Sequence, residues 1–143
     1  MRKIEKIIIH CSAGNQKAKA ADIVYFHTGP KEKGCLGWKT PGYHYFIEED
    51  GTVVQLVALD RVSNGCKGHN ATAINVCYAG GVDLSKPRPY PPVDNRTPAQ
   101  KAALRNLLVT LRRQFPGAEI HSHSDFANKA CPSFDATAEY SDI

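Results

Sequence analysis

The run Ile7-Ile8-Ile9, ending on His10 and followed by the turn-forming Ser12-Ala13-Gly14-Asn15, constrains this chain more than any other segment. β-Branched residues lose little in an extended backbone and pack well on a pleated surface, so Ile4 to His10 reads as a buried strand. A strand of this kind has to be built into a sheet, and it delivers a histidine to the sheet's edge.

The remaining elements follow from period and punctuation. A helix is expected from about Lys17 to His27, with Ile23, Phe26 and His27 on one side and Gly29-Pro30 as its stop. The Gly/Lys-rich stretch to Pro41 has no periodicity and reads as a loop. From Tyr43 to Leu56, Asp50-Gly51 sits between two apolar runs, which is a hairpin signal. Ala73 to Ala79 reads as a further strand, stopped by Gly80-Gly81. The segment from Lys86 to Pro98 reads as a surface connection, because Pro89, Pro91 and Pro92 have no N–H for a ladder. Thr97-Pro98 then opens a long amphipathic helix with Ala103, Leu104, Leu107, Leu108 and Leu111 at helical spacing, ending near Phe115-Pro116-Gly117. A short strand from Ala118 to His121 or beyond closes the series. Helices that interleave with strands, one hairpin included, give an α/β fold class: a single domain over residues 1–143 with a central mixed β-sheet flanked by helices.

Bulk properties narrow the function. A chain of 143 residues, 42% hydrophobic and 22% charged, is long enough to bury a core without staples. The formal charge of +4 is mild and its basic residues are dispersed without interleaved aromatics, so no nucleic-acid partner is expected. No apolar stretch is long enough to span a membrane, and the three isoleucines after Met1-Arg-Lys-Ile-Glu-Lys are too few for a signal-peptide core. A cytoplasmic site of synthesis is therefore expected. Five cysteines without a CxxC pair argue against a disulfide framework, and Cys77, in an apolar run, reads as a small buried hydrophobe.

Chemistry concentrates in His121-Ser-His123-Ser-Asp125-Phe-Ala-Asn-Lys129-Ala-Cys131-Pro132. Two His and one Cys suit zinc and leave a fourth tetrahedral position open for water. His10 is a further ligand candidate. His121 and His123 are two apart and project from one face of a strand, so spacing does not choose between them. The alternative is a buried thiol at Cys131 with two surface histidines.

Four stretches resemble the type 2 N-acetylmuramoyl-L-alanine amidases, the zinc family that includes amidase-type phage lysozymes and peptidoglycan recognition proteins. They are Ile8-Ile-His10-Cys-Ser-Ala13, Gly42-Tyr43-His through Gly51-Thr-Val, Lys67-Gly-His-Asn70 through Asn75 to Asp83, and Thr97-Pro-Ala-Gln100 through Lys129-Ala-Cys131-Pro-Ser-Phe-Asp135. They span nearly the whole chain in the family's order, with the short phage-lysozyme branch most alike. The resemblance implies a single catalytic Zn2+ held by His10, His123 and Cys131; the family's second His lies eight residues before its Cys, which selects His123. It also implies that Tyr43 and Lys129 act in catalysis. The implied reaction is hydrolysis of the amide between N-acetylmuramic acid and the L-alanine of the stem peptide. In such a site zinc lowers the pKa of its water to roughly 7, Lys129 faces the developing oxyanion, and Tyr43 serves proton transfer.

Tyr45, two residues on, is expected to share the face of Tyr43, and His44 to face away as a core or supporting group. His27 is expected between the first helix and the sheet. His69 and Asn70, in a Gly-flanked loop, are candidates for lining the substrate groove, while Thr72 and Asn75 read as strand neighbours. Two departures from the family stand out: Gly65, where many relatives carry a His, and a longer Gly29–Gly42 loop containing Cys35 and Trp38. The implied partner is peptidoglycan or a muropeptide, met by a monomer as an endolysin after holin-type release or in muropeptide recycling. A non-catalytic muropeptide-binding module is the alternative, and binding to RNA polymerase follows by family analogy only.

Overall fold

The computed structural model describes all of residues 1–143 and contains five strands and three helices. In chain order these are β1 (Lys6–Cys11), α1 (Ala20–Thr28), β2 (Tyr45–Ile47), β3 (Val53–Gln55), β4 (Ala73–Tyr78), α2 (Pro98–Gln114), β5 (Glu119–Ser122) and α3 (Ala136–Glu139). The sheet runs β3-β2-β4-β1-β5. β1 pairs in parallel with both β4 and β5, β2 is parallel to β4, and β3 closes the edge antiparallel to β2. The mixed sheet expected from the sequence is present, and no helix is long and apolar enough to cross a membrane.

The position of β1 follows from its residues. Ile7, Ile8 and Ile9 are fully buried, as an interior strand covered on both faces requires. Alternation then gives the two faces different characters. Ile7, Ile9, Ile74, Val76 and Ile47 point to one side and pack against Leu104, Leu108 and Leu111 of α2. Each of these buried leucines contributes about 1.5–3 kcal/mol of burial free energy. The opposite face carries Ile8, His10, Asn75, Cys77 and Phe46, covered by α1 and loops. The polar residues of β1 and β4 thus share the face away from α2.

Local chemistry sets the boundaries. Thr97 caps α2: its Oγ1 accepts from Gln100 N at 3.0 Å while Gln100 Oε1 accepts from Thr97 N at 3.0 Å. The Gln100 amide also donates to Ala79 O at 2.9 Å, tying the start of α2 to the end of β4. In the β2–β3 hairpin Gly51 takes a left-handed φ of 89°, and a Cβ there would lie 2.9 Å from Ala99 O.

Four expectations need correction. α1 begins at Ala20 rather than near Lys17, because Asn15 first closes a turn that holds Lys17 and Ala18. Phe26 is 48% exposed; Ala20, Ile23 and His27 form the inward stripe and Phe26 falls beside it. Tyr43 precedes β2, so Tyr45 does not share its face: Tyr45 packs with the α2-side core and Tyr43 with the α1-side cluster. Pro92 does stand opposite Val82 in one antiparallel bridge, held by the N–H groups of Asp83 and Val93 rather than by its own nitrogen.

The C-terminal segment is anchored by Arg96. Its guanidinium donates to Asp94 and Glu139 at 2.8 Å and to Tyr140 Oη at 2.9 Å, and lies 3.4 Å over the Phe134 ring. The side chain is only 1% exposed. Replacing Arg96 by Ala leaves two carboxylates facing an emptied, partly buried slot. The expected cost is about 2–4 kcal/mol in urea denaturation; a loss below about 0.5 kcal/mol would mean that the network does not anchor this segment.

Candidate metal centre

The C-terminal edge of the parallel strands is where an open α/β sheet presents its crevice. His10 is the penultimate residue of β1. Ser122, the last residue of β5, pairs with Ile9, so the next residue, His123, arrives beside His10. The two rings meet edge to face with Nδ1 atoms 3.1 Å apart, and Cys131 Sγ lies 3.9 Å from His10 Nδ1. All three donor atoms fall within 4.8 Å of one another. A tetrahedral zinc with bonds of about 2.0–2.1 Å to nitrogen and about 2.3 Å to sulfur sets N···N near ~3.3 Å and N···S near ~3.6 Å. The donor set therefore fits such an ion with small adjustments.

The loop carrying Cys131 is held from the sheet. Tyr78 Oη donates to Pro132 O at 2.6 Å, and Cys11 N donates to Cys131 Sγ at 3.2 Å. The neighbouring Cys131 thiol draws Cys11 down to about 7, while that same neighbour and burial push Cys131 up. The backbone N–H aimed at Cys131 Sγ marks that sulfur as the one to carry the charge when a cation is present. All five cysteines are free thiols.

His121 and His123 part company. β5 ends at Ser122 and a 3-10 turn begins at His123, so the strand alternation that would align them stops between them. His121 pairs with Asp125 at 3.0 Å and Glu119 at 3.1 Å and is not part of the cluster, whereas His123 turns inward and is buried.

The cluster lies in the wall of a cavity of about 230 Å³ that Tyr43, Lys129, His27, Trp38 and Asn64 also line. The Tyr43 ring stands 5.2 Å from both His10 and His27, and His27 Nδ1 accepts from Gly42 N at 2.9 Å, fixing the backbone beside Tyr43. His27 thus packs beneath Tyr43 and Trp38. Burial raises the Tyr43 hydroxyl well above its ordinary value, so it stays protonated. Lys129 is exposed and has no acidic partner, and its charge, after burial itself, helps hold His123 and His10 neutral. His10 falls to about 3, chiefly through burial.

The groove candidates fare differently. His69 stacks on Phe126 at 4.3 Å and is absent from the cavity wall. Asn70 Oδ1 accepts from Cys66 N at 2.8 Å and from Asn75 Nδ2 at 3.1 Å, which pins its loop; its surface borders a neighbouring depression shared with Trp38, Asn64 and Lys67. Gly65 cannot carry a side chain here, since a Cβ would lie 2.5 Å from Asn75 Cγ and 2.7 Å from Gly42 O. Asn64 is the neighbour that presents a side chain to the cavity.

From sequence alone Asn75 is a plain strand neighbour. It is fully buried and bonds His10 Nε2 through Oδ1 at 2.8 Å. The signal was available: a carboxamide inside the largely apolar run Ala73–Tyr78 has to find partners when buried. Behind it His44, also fully buried, accepts at Nδ1 from Asn75 N and faces Arg61 O with Nε2.

Burial, aided by the charge of Arg2 and opposed by the Arg61 carbonyl, lowers His44 to about 4. The folded pKa lies below the unfolded value of about 6.5, so the unfolded chain binds the extra proton first. This contribution is complete above about pH 6.5 and is lost as the pH falls toward 4, amounting to about 3 kcal/mol. Unfolding free energies of metal-free protein from pH 7 to 4 are expected to fall by at least that amount; a flat profile would contradict a neutral buried His44.

Comparison with known proteins places the chain in a family. A family model described as N-acetylmuramoyl-L-alanine amidase matches residues 1–134. The endolysin of Klebsiella phage KP32 is 41% identical over 136 residues, covering 94% of this chain and 83% of that protein. The endolysin of Escherichia phage T7 is 40% identical over 133 residues, with coverage of 92% and 82%. Among solved structures, the N-acetylmuramoyl-L-alanine amidase LysC from Clostridium intestinale superposes with a TM-score of 0.76 at 23% identity, covering 97% of this chain and 83% of that one. Drosophila PGRP-LB gives 0.74 at 18% identity, covering 99% and 81%. Sequence and fold thus agree that the chain belongs to the N-acetylmuramoyl-L-alanine amidase family.

Proposed function

We propose that this amidase is zinc-dependent, with His10, His123 and Cys131 as the metal ligands, and that it acts as an endolysin on the amide between N-acetylmuramic acid and the first L-alanine of peptidoglycan. One observation carries the reading: three donor atoms of zinc-compatible type converge within 4.8 Å in the wall of an open cavity that also holds Tyr43 and Lys129. The endolysin role is supported by the phage relatives, and the choice of amide bond by the family's description as an N-acetylmuramoyl-L-alanine amidase.

When bound there, zinc supplies Lewis acidity, activating water near neutral pH and polarising the amide carbonyl. The protein's own groups do the rest. Two neutral imidazoles and one thiolate leave a net positive site. Lys129, on an exposed stem over the cavity, offers its ammonium to the oxyanion that forms as water adds to the carbonyl carbon. Tyr43 keeps its proton and can donate a hydrogen bond to the water or to the nitrogen as the C–N bond breaks. Trp38 is 37% exposed and stacks on His27 at 4.9 Å, while the Leu36 and Trp38 N–H groups bond back to Phe26 O and His27 O of α1. The longer loop thereby sets an aromatic surface between the cavity and the depression bordered by Lys67, suited to holding the substrate.

The test is paired: zinc per chain, and the new ends released from peptidoglycan. One zinc per chain and fresh L-alanine amino termini without reducing sugar ends are expected; reducing ends would indicate glycosidase action and overturn the amidase bond assignment. Cys131→Ala and His123→Ala should lose both metal and activity. Lys129→Ala should keep its zinc and lose about 10²–10³ in kcat; parent-like kcat would remove Lys129 from the mechanism. Zinc binding without any cleavage would favour a muropeptide-binding module instead.

A further inference from the structure

We propose that Asn75 is a positioning residue of the metal centre: its carboxamide locks His10 in the tautomer that turns an unprotonated Nδ1 toward His123 and Cys131. The assignment deepens the zinc reading and rests on it for its consequence, though the tautomer itself does not depend on metal.

The direction of the hydrogen bonds is set by groups whose character is fixed, the backbone N–H of Asn75 above all; Arg2 Nη2 also lies 3.0 Å from His44 Nε2 but donates to Ala73 O at 2.7 Å. Asn75 N–H donates to His44 Nδ1 at 3.0 Å, so that nitrogen is an acceptor and His44 Nε2–H donates to Arg61 O at 2.8 Å. Ser63 Oγ, 3.1 Å from the same Nδ1, donates to it and is left to accept from Asn75 Nδ2 at 2.8 Å. The second Asn75 amide hydrogen goes to Asn70 Oδ1 at 3.1 Å. With both amide hydrogens committed, the carboxamide cannot flip, and only its Oδ1 remains to face His10 Nε2 at 2.8 Å. An oxygen there demands an N–H, which places the single proton of neutral His10 on Nε2.

Space at this point is reserved for the amide. Asn75 lies on β4 opposite Ile8, on the face that also carries His10. The absence of a side chain at Gly65 is what leaves room, since a Cβ there would collide with Asn75 Cγ and Oδ1 at 2.5 and 2.7 Å. Asn75, Ser63 and His44 are each fully buried, and no buried polar side-chain atom in the chain lacks a partner. A satisfied buried network of this kind orients a ligand rather than merely filling space.

Two measurements decide the matter. Long-range ¹H–¹⁵N NMR of the metal-free parent should show His10 as the Nε2–H tautomer; an Nδ1–H tautomer would overturn the proposal whatever the variants do. Zinc affinity by chelator competition then compares Asn75→Leu, which removes the acceptor at similar size, with Asn75→Asp, which keeps it. Asn75→Leu should bind zinc about 10–100-fold more weakly, and Asn75→Asp, which keeps the acceptor but not the two amide donors, should lose clearly less than Asn75→Leu. Equal losses in both, or parent-like affinity in Asn75→Leu, would overturn the positioning role. If Asn75→Leu fails to fold, the tautomer of the parent remains decisive. A parent that binds no zinc would refute the metal reading alone, and the tautomer would still be read.

Discussion

Parallel pairing of β1 on both sides is the constraint on which the rest of the molecule depends. A strand flanked by β4 and β5 must be apolar on two faces for most of its length, and Ile7, Ile8 and Ile9 meet that demand. The same pairing fixes what stands beside what at the strand's end. Register with β5 brings His123 next to His10, and register with β4 puts Asn75 and Cys77 on the face His10 shares. The site is therefore a by-product of sheet register, and a one-residue slip of β5 would carry His123 away from His10.

Keeping three metal-type donors in a largely buried setting is costly unless they stay neutral or paired. The structure meets this in layers. Burial keeps His10 and His123 uncharged, the Asn75–Ser63–His44 network satisfies the inner nitrogen of His10, and a backbone N–H faces the sulfur of Cys131. The one free cation of the site, Lys129, remains exposed, where its solvation costs little. Buried groups thus form the floor and the exposed charge stands above them, an arrangement suited to stabilising charge that appears only during reaction.

Much of this was legible in the sequence. The Ile7–Ile9 run, the Asp50-Gly51 hairpin, the capped helix from Pro98 and the strand from Ala73 all carry local signals strong enough to survive tertiary context. The grouping of His10, His123 and Cys131 needed the resemblance, because spacing left His121 and His123 equivalent until the end of β5 at Ser122 separated them. What stayed hidden depends on contacts distant in sequence. Phe26 has the spacing of an inward residue but the face of α1 is set by Ala20 and Ile23. Tyr45 matched Tyr43 by alternation, and the irregular backbone at His44 broke that alternation. The role of Asn75 needs Ser63, Asn70 and His44 in place at once, and the choice of glycine at Gly65 has meaning only against that side chain and the Gly42 carbonyl.

The central claim is that a His-His-Cys set at the end of the parallel strands holds a single zinc and leaves one position open. X-ray absorption at the zinc edge of the loaded protein tests it most directly. The predicted spectrum has two nitrogen scatterers at about 2.0–2.1 Å, one sulfur at about 2.3 Å and one further light atom. A first shell without sulfur, or with more than one sulfur, would contradict the assignment of His10, His123 and Cys131.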